Sequence, residues 1–411
     1  MHSPDPALLE LLDRLELTRG DVADLLAETR RLVAADVAEA VDTEIPIVHF
    51  DELRDRPDPS SASSLGPDSG GDSGAGSRVG ESIRRSGCVV VKGTFEPSQA
   101  ERWDREIGEY LAANEFERKF AERYEDADQR SSIWGIYWSK PQVEARQHER
   151  MAGVRRFLNS LWSHESNGTT WFDPDHDIAY PDRLRRRAPG VRAKGLLPHS
   201  DSASAGGWRV AENIDVFRLV LAGNPELYDP FDAAHRTSVD AGSLAPATVF
   251  RTFQGWTALS EMHPTDGVLH LAPVPRAAAY VLVRGIADEL GIEGDPTPTP
   301  RRARPDGVVT AALRPIPIVE PGDTVWWHGD VFHSVADASN ETRWGNVMYI
   351  GAAPRCPRND RYAASTLERF VRGASPLDFP EEDFEVEFSG RAGPHDLTAL
   401  GRQQFGLEPI G

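Results

Sequence analysis

Cysteine is almost absent from this chain: two residues, Cys88 and Cys356, in 411. Two distant thiols exclude a disulfide framework and a cysteine-rich zinc site. Lysine is nearly as scarce, with four residues, and the other basic side chains are arginines. Long apolar runs are missing too. No stretch approaches the roughly 18 residues that a membrane helix needs, so an integral helical membrane protein is excluded. The N-terminal MHSPDPALLELLDR lacks a basic stretch followed by an apolar core, and no secretory signal is expected. Positive charge is in deficit: 45 Lys and Arg against 65 Asp and Glu leave −20. Such a field repels phosphate backbones and anionic membrane surfaces, so neither nucleic acid nor a membrane is an expected partner. A small-molecule substrate and a cytoplasmic location are the default expectations. There is no G-x-S-x-G elbow and no phosphate-binding or dinucleotide fingerprint in a strand–helix context.

What is present divides the chain into four. Residues 1–56 read as a helical extension, because leucines in 7–40 recur at spacings of three and four. Asp21 is expected to cap its second helix. Residues 57–79 are nearly all Pro, Ser, Gly, Asp and Ala, and bury too little to order themselves; a disordered loop is expected. Residues 80–375 hold the main domain. It opens with the strand GCVVVKGTF, followed by one long helix over 97–124 and further helix over 141–162. From about 195 short apolar runs recur: IDVFRLVLAG, ATVFRTFQGWTAL, GVLHLAPV, AAYVLVRG, IPIVEPGDTVWWH and WGNVMYIGA. Read as strands, they predict a sandwich or barrel. Residues 376–411 form a polar tail packing loosely on the core.

The chemistry concentrates in two places. In LLPHSDS, His199 and Asp201 are two apart, so a strand end directs both at one point. Two histidines and one carboxylate with open positions form the ligand set of a non-haem Fe(II) oxygenase. The third ligand has two candidates in GDTVWWHGDVFHSV, His328 and His333. The reading favours His328 as an ordinary buried histidine. An oxygenase that takes 2-oxoglutarate also needs a cation for the far carboxylate, and arginine's planar fork suits it. Arg343 and Arg251 compete for that role. His176 reads as a solvated loop residue. Asp229, Asp232 and His235 read as a loop ordered by side-chain to backbone bonds.

The order of these pieces resembles the phytanoyl-CoA dioxygenase-like branch of the Fe(II)/2-oxoglutarate oxygenases. Trp256-Thr257-Ala258, the Asp266-Gly267 turn and the strand ending at Pro273 carry that likeness. More closely, the chain is identified as a member of the YbiU-like proteins, a bacterial and fungal family filed as a domain of unknown function. The matching stretches include GCVVVKGTFEPSQAERWDREIGEYL, IWGIYWSKPQVEARQHERM, PHSDS, AGNPELYDPFDAAHRT, FRTFQGWTALS, GDTVWWHGDVFHSV and WGNVMYIGAAPRC. They cover most of 80–375. The resemblance implies a mainly β fold with flanking helices around a double-stranded β-helix, a jelly-roll of the cupin type. It implies His199, Asp201 and His333 as Fe(II) ligands, 2-oxoglutarate and O2 as co-substrates, and Trp256 near the co-substrate. Where the superfamily places its arginine, on the strand after the distal histidine, this chain has Trp344, Gly345 and Asn346; Arg343 comes earlier. Trp208, Arg209, Arg251, Trp256 and Arg284 are expected near the mouth, for a polar substrate such as an amino acid, nucleoside or natural-product intermediate. The alternative expectation is a cupin-type metal-binding or sensor protein, or a non-oxidative metal enzyme, without 2-oxoglutarate turnover.

Overall fold

The computed structural model describes residues 4–41, 44–54, 75–124, 132–192, 195–202, 204–237, 249–292, 307–337 and 340–408. Its strands, in chain order, are β1 (Ile47–His49), β2 (Cys88–Lys92), β3 (Ile133–Trp134), β4 (Glu165–Ser166), β5 (Thr169–Thr170), β6 (Asp173–Asp177), β7 (Leu184–Arg185) and β8 (Leu196–His199). They continue with β9 (Phe253–Ala258), β10 (Leu269–Leu271), β11 (Arg314–Pro315), β12 (Thr324–His328), β13 (His333–Val335), β14 (Val347–Ala352) and β15 (Pro354–Arg355). Seven of them form one sheet in the order β1-β2-β12-β9-β14-β7-β3, and four form a second in the order β11-β10-β13-β8. All pairs in both sheets are antiparallel except β1–β2.

Alternation along the strands assigns the two faces of the large sheet. Cys88, Val90, Trp256, Val325, Trp327 and Val347 face inward and meet Leu269, Leu271 and Val331 in one cluster that includes the small sheet. Their neighbours Val89, Val91, Phe253, Trp326 and Met348 face outward, onto Trp103 and Ile107 of the helix Pro97–Ala113 and Val154 and Phe157 of the helix Glu149–Ser160. A third cluster joins Pro6–Arg14 and Arg19–Val41 to the helix Ala277–Glu289.

More residues lie in helix than in strand, which corrects the expectation of a mainly β chain. The reason lies in two runs read as strands. IDVFRLVLAG instead forms the short helices Ala211–Val216 and Arg218–Leu221, and AAYVLVRG lies within the helix Ala277–Glu289. That last helix is buried from Ala277 to Val283 without a break. A helix covered on all sides has an unbroken apolar sequence, which periodicity cannot tell from a buried strand.

Smaller corrections follow the same physics. The helix expected over 97–124 is two, broken where Glu115 adopts a left-handed conformation at φ 52°. Thr18, not Asp21, caps the second N-terminal helix: its hydroxyl accepts the Asp21 N–H at 3.2 Å, and Asp21 Oδ2 accepts from the Thr18 N–H at 2.8 Å. Of the loop expected over 57–79, residues 57–74 lie outside the described residues, and 75–79 open the helix Ala75–Ser86. The tail is packed rather than loose, with Phe388, Ala392, Leu397 and Phe405 buried.

One glycine ties the helical layer to the segment that follows the His-x-Asp motif. A Cβ on Gly285 would lie 1.9 Å from the Ala205 carbonyl oxygen. Gly285→Ala is therefore expected to cost about 1–3 kcal/mol. Chemical denaturation checks this, and an unchanged midpoint would mean that the 204–210 segment yields without cost.

Candidate metal centre

Two neighbouring strands of the small sheet, with the loop after one of them, build the site. β8 runs into His199, and β13 begins at His333. Their register sets these two residues directly opposite one another, with ring centroids 4.3 Å apart. Asp201 completes the group: one oxygen lies 3.7 Å from His199 Nε2 and the other 3.9 Å from His333 Nε2. The donor atoms of all three lie within 4.8 Å of one another.

Backbone carbonyls set the tautomers. His199 Nδ1–H donates to Leu197 O at 2.8 Å, and His333 Nδ1–H donates to Val331 O at 3.2 Å. A carbonyl only accepts, so each Nδ1 carries the proton and Nε2 is the ring nitrogen left facing Asp201 for a metal. Burial pushes His333 down to about 4, which keeps it neutral at neutral pH. Desolvation raises the Asp201 carboxyl, but His333, Arg251 and His199 outweigh it and hold the group below the ordinary carboxylate range. The result is three possible ligand atoms, two imidazole Nε2 and one carboxylate oxygen, converging on one point. A divalent cation fits that set.

The turn between β12 and β13 anchors the loop that carries Asp201. Ser200 Oγ–H and Ser202 N–H donate to Gly329 O at 2.8 and 3.3 Å. Ser202 Oγ–H donates to Asp330, which also accepts from Tyr228 at 2.6 Å and from both Nη atoms of Arg236, at 3.3 and 2.9 Å. Asp330 is fully buried. Burial raises its carboxyl, but Arg236 and His328 bring it down to about 2.

His328 stands apart from the triad. It is 1% exposed, stacks on Trp162 at 4.6 Å and accepts the Asp330 N–H at Nδ1. Burial pushes it from 6.5 down to about 4. A histidine held below its unfolded value stabilises the fold above about pH 6.5, and that contribution fades as pH falls toward 4. His328→Asn, which keeps the acceptor, is expected to flatten the loss of stability of the metal-free protein between pH 7 and pH 5. Parallel losses in denaturant titrations of both proteins would refute this.

A cavity of about 1540 Å³ opens beside the triad and runs in between the sheets. Arg251 and Trp256 line it. Arg251 Nη1 donates to Tyr180 OH at 3.2 Å. Burial lowers the Arg251 pKa, but Tyr180, Asp201, Asp182 and Asp378 around it raise it on balance. Arg343 lies elsewhere: its Nε and Nη2 clasp Asp266 at 3.2 and 3.0 Å, and it does not line the cavity. Trp208, Arg209 and Arg284 do not line it either. Trp208 is packed in the helical cluster with Arg209 3.8 Å over its ring, Arg209 reaches Asp5, and Arg284 faces Asp288 at 3.7 Å. His176 bonds Asp173, while Asp229 and Asp232 accept from Phe231 and Ala234 N–H and so order their loop.

Several residues escaped the sequence reading. Gln254, Tyr349 and Arg185 line the cavity, and Asp330, Arg236 and Tyr228 brace its metal-side loop. The run DRLRRR was a signal for Arg185, but such a run ordinarily marks a solvated face.

Among the described residues no helix is long and apolar enough to cross a membrane. YbiU, an uncharacterized protein of Escherichia coli K12, is 44% identical over 341 residues, 80% of this chain and 81% of that protein. A solved structure from Salmonella typhimurium LT2, described as a candidate oxidoreductase, matches with a TM-score of 0.81 at 38% identity, covering 98% of this chain and 99% of that one. The structure of GlcNAc Inducible Gene 2 from Candida albicans matches at 0.74 and 23% identity over 100% and 92% of the two chains, a likeness of fold. The Gig2-like family model matches residues 71–407, and the chain belongs to that family.

Proposed function

We propose that this protein is a mononuclear Fe(II)/2-oxoglutarate-dependent oxygenase that hydroxylates a polar small molecule. The observation that carries the reading is the His199–Asp201–His333 group, in which two imidazole nitrogens and one carboxylate converge beside a cavity. Three ligands on one side leave positions open toward the cavity, as this chemistry requires. The two sheets are read as the halves of a double-stranded β-helix. The placement near the phytanoyl-CoA dioxygenases rests on Trp256-Thr257-Ala258 and Asp266-Gly267. When bound, Fe(II) with 2-oxoglutarate and O2 supplies conversion of a substrate C–H to an alcohol, with succinate and CO2 released.

The chain's own share is positioning. Leu197 and Val331 carbonyls orient the two imidazoles. The Asp330 network holds the Asp201 loop. Trp256, Trp327 and Leu269 wall the inner cavity and limit water there. The Arg251 guanidinium beside Asp201 favours an anionic or polar substrate, which fits an amino acid, a nucleoside or a natural-product intermediate.

The test is succinate formation from 2-oxoglutarate by the Fe(II)-reconstituted protein under air. Turnover above that of His199→Ala is expected even without primary substrate. Arg343, held by Asp266, favours one other reading, a cupin-type metal-binding or sensor protein or a non-oxidative metal enzyme. Anaerobic Fe(II) protein separates the two. A weak visible charge-transfer band on adding 2-oxoglutarate supports the oxygenase, and bound iron with no band supports the alternative.

A further inference from the structure

Among the described residues, the buried cation Arg185 has no counterion. It lies in β7 opposite Val347 of β14. Its neighbour Leu184 packs in the helix-side cluster, so alternation turns Arg185 to the other face, between the sheets. There it is 5% exposed and lines the cavity. Its Nη2 reaches the Met262 sulfur at 3.4 Å, a weak acceptor, and its Nε has no hydrogen-bond partner. Among the described residues no carboxylate lies within 4.0 Å of it. Other arginines of the cavity wall are matched: Arg186 by Asp104, Arg192 by Asp337, Arg236 by Asp330 and Arg358 by Glu212.

Its surroundings deepen the imbalance. The Arg187 guanidinium, two residues on, donates to the Asp266 and Gly267 carbonyls. Burial and then the nearby Arg185 charge lower the Arg187 pKa. A buried, uncompensated guanidinium with an unpartnered Nε, beside a second arginine, describes a seat for an anion.

The position along β14 sets which anion. Gly351 of β14 pairs with Gln254, which pairs in turn with Trp327, whose ring lies 5.3 Å from that of His333 at the metal end. Val347, opposite Arg185, lies four residues deeper, roughly 13 Å at about 3.3 Å per residue. An extended five-carbon dicarboxylate together with the arginine side chain spans that interval. We propose that Arg185 holds the far carboxylate of a 2-oxo dicarboxylate whose oxo-acid end faces His199, Asp201 and His333. The identity of the ligand rests on the oxygenase reading above; the anion seat itself does not.

The experiment is calorimetric titration of the anaerobic Fe(II)-loaded protein with 2-oxoglutarate and with 2-oxobutyrate, which lacks the far carboxylate. Wild type is expected to prefer 2-oxoglutarate. Arg185→Gln is expected to weaken 2-oxoglutarate about 10–100-fold, the range of a hydrogen bond to a charged group, and to leave 2-oxobutyrate unchanged. Arg185→Lys should recover part of the preference, and Arg343→Gln should keep it whole. The unchanged 2-oxobutyrate affinity shows that the variant is folded. If wild type binds 2-oxoglutarate and the preference survives in Arg185→Gln, or both ligands weaken equally in both Arg185 variants, the assignment of Arg185 is overturned while the oxygenase reading stands. If wild type binds neither keto acid, the oxygenase reading fails, and glutarate titrated into metal-free protein decides the seat. Arg185-dependent glutarate binding then upholds it, and no binding ends it.

Discussion

Asp201→Ala is expected to abolish stoichiometric Fe(II) binding. The carboxylate is the one anionic member of the triad and faces both Nε2 atoms. Its removal leaves two neutral imidazoles, so the loss should exceed the roughly 10–100-fold that removal of an outer supporting partner costs. The metal-free fold should lose stability as well at pH 8. The folded Asp201 carboxyl is held below the ordinary carboxylate range, with the Arg251 guanidinium beside it, so the ionised group stabilises the fold above that range. The metal-free variant should therefore be less stable than wild type, and the increment that metal adds to wild type vanishes. Anaerobic Fe(II) titration, with thermal melts with and without metal, reads both. Metal affinity within twofold of wild type would sink the ligand assignment.

Asp330→Ala is expected to be the most destabilising single change in the site region. Asp330 is fully buried and accepts from Arg236, Tyr228 and Ser202. Removing it leaves the buried Arg236 without a counterion, a lesion of about 3–5 kcal/mol. Arg236→Met in the same chain removes the stranded charge, so the double variant should recover part of the loss. Ser202 loses its acceptor next to Asp201, and metal affinity should fall about 10–100-fold. Because the folded Asp330 pKa is lowered to about 2, its contribution is present above the ordinary carboxylate value and lost as pH falls through that range. Urea titrations at neutral pH and near pH 3 check both points. Equal midpoints for wild type and Asp330→Ala at neutral pH would show that the network contributes nothing.

What was legible in the sequence was local. The two-residue spacing of His199 and Asp201 at a strand end, the alternation in TVWWH, and the Asx turns of Asp229 and Asp232 all depend on residues a few positions apart. Their geometry follows from backbone periodicity and short-range hydrogen bonds. The acidic balance and the scarcity of thiols and long apolar runs likewise narrowed the chemistry without any fold.

Only the tertiary structure decided the rest. The β8–β13 register, joining residues 134 positions apart, sets His333 opposite His199 and leaves His328 stacked on Trp162. Asp266 holds Arg343 away from the cavity, and Arg185 turns inward from a run of arginines that reads as solvated surface. The apolar run in Ala277–Glu289 is a helix because neighbours cover it on every side. In each case the deciding term is burial or cross-strand pairing between distant segments. Those energies belong to contacts that exist only once the chain has folded, so residue type and spacing alone do not carry them.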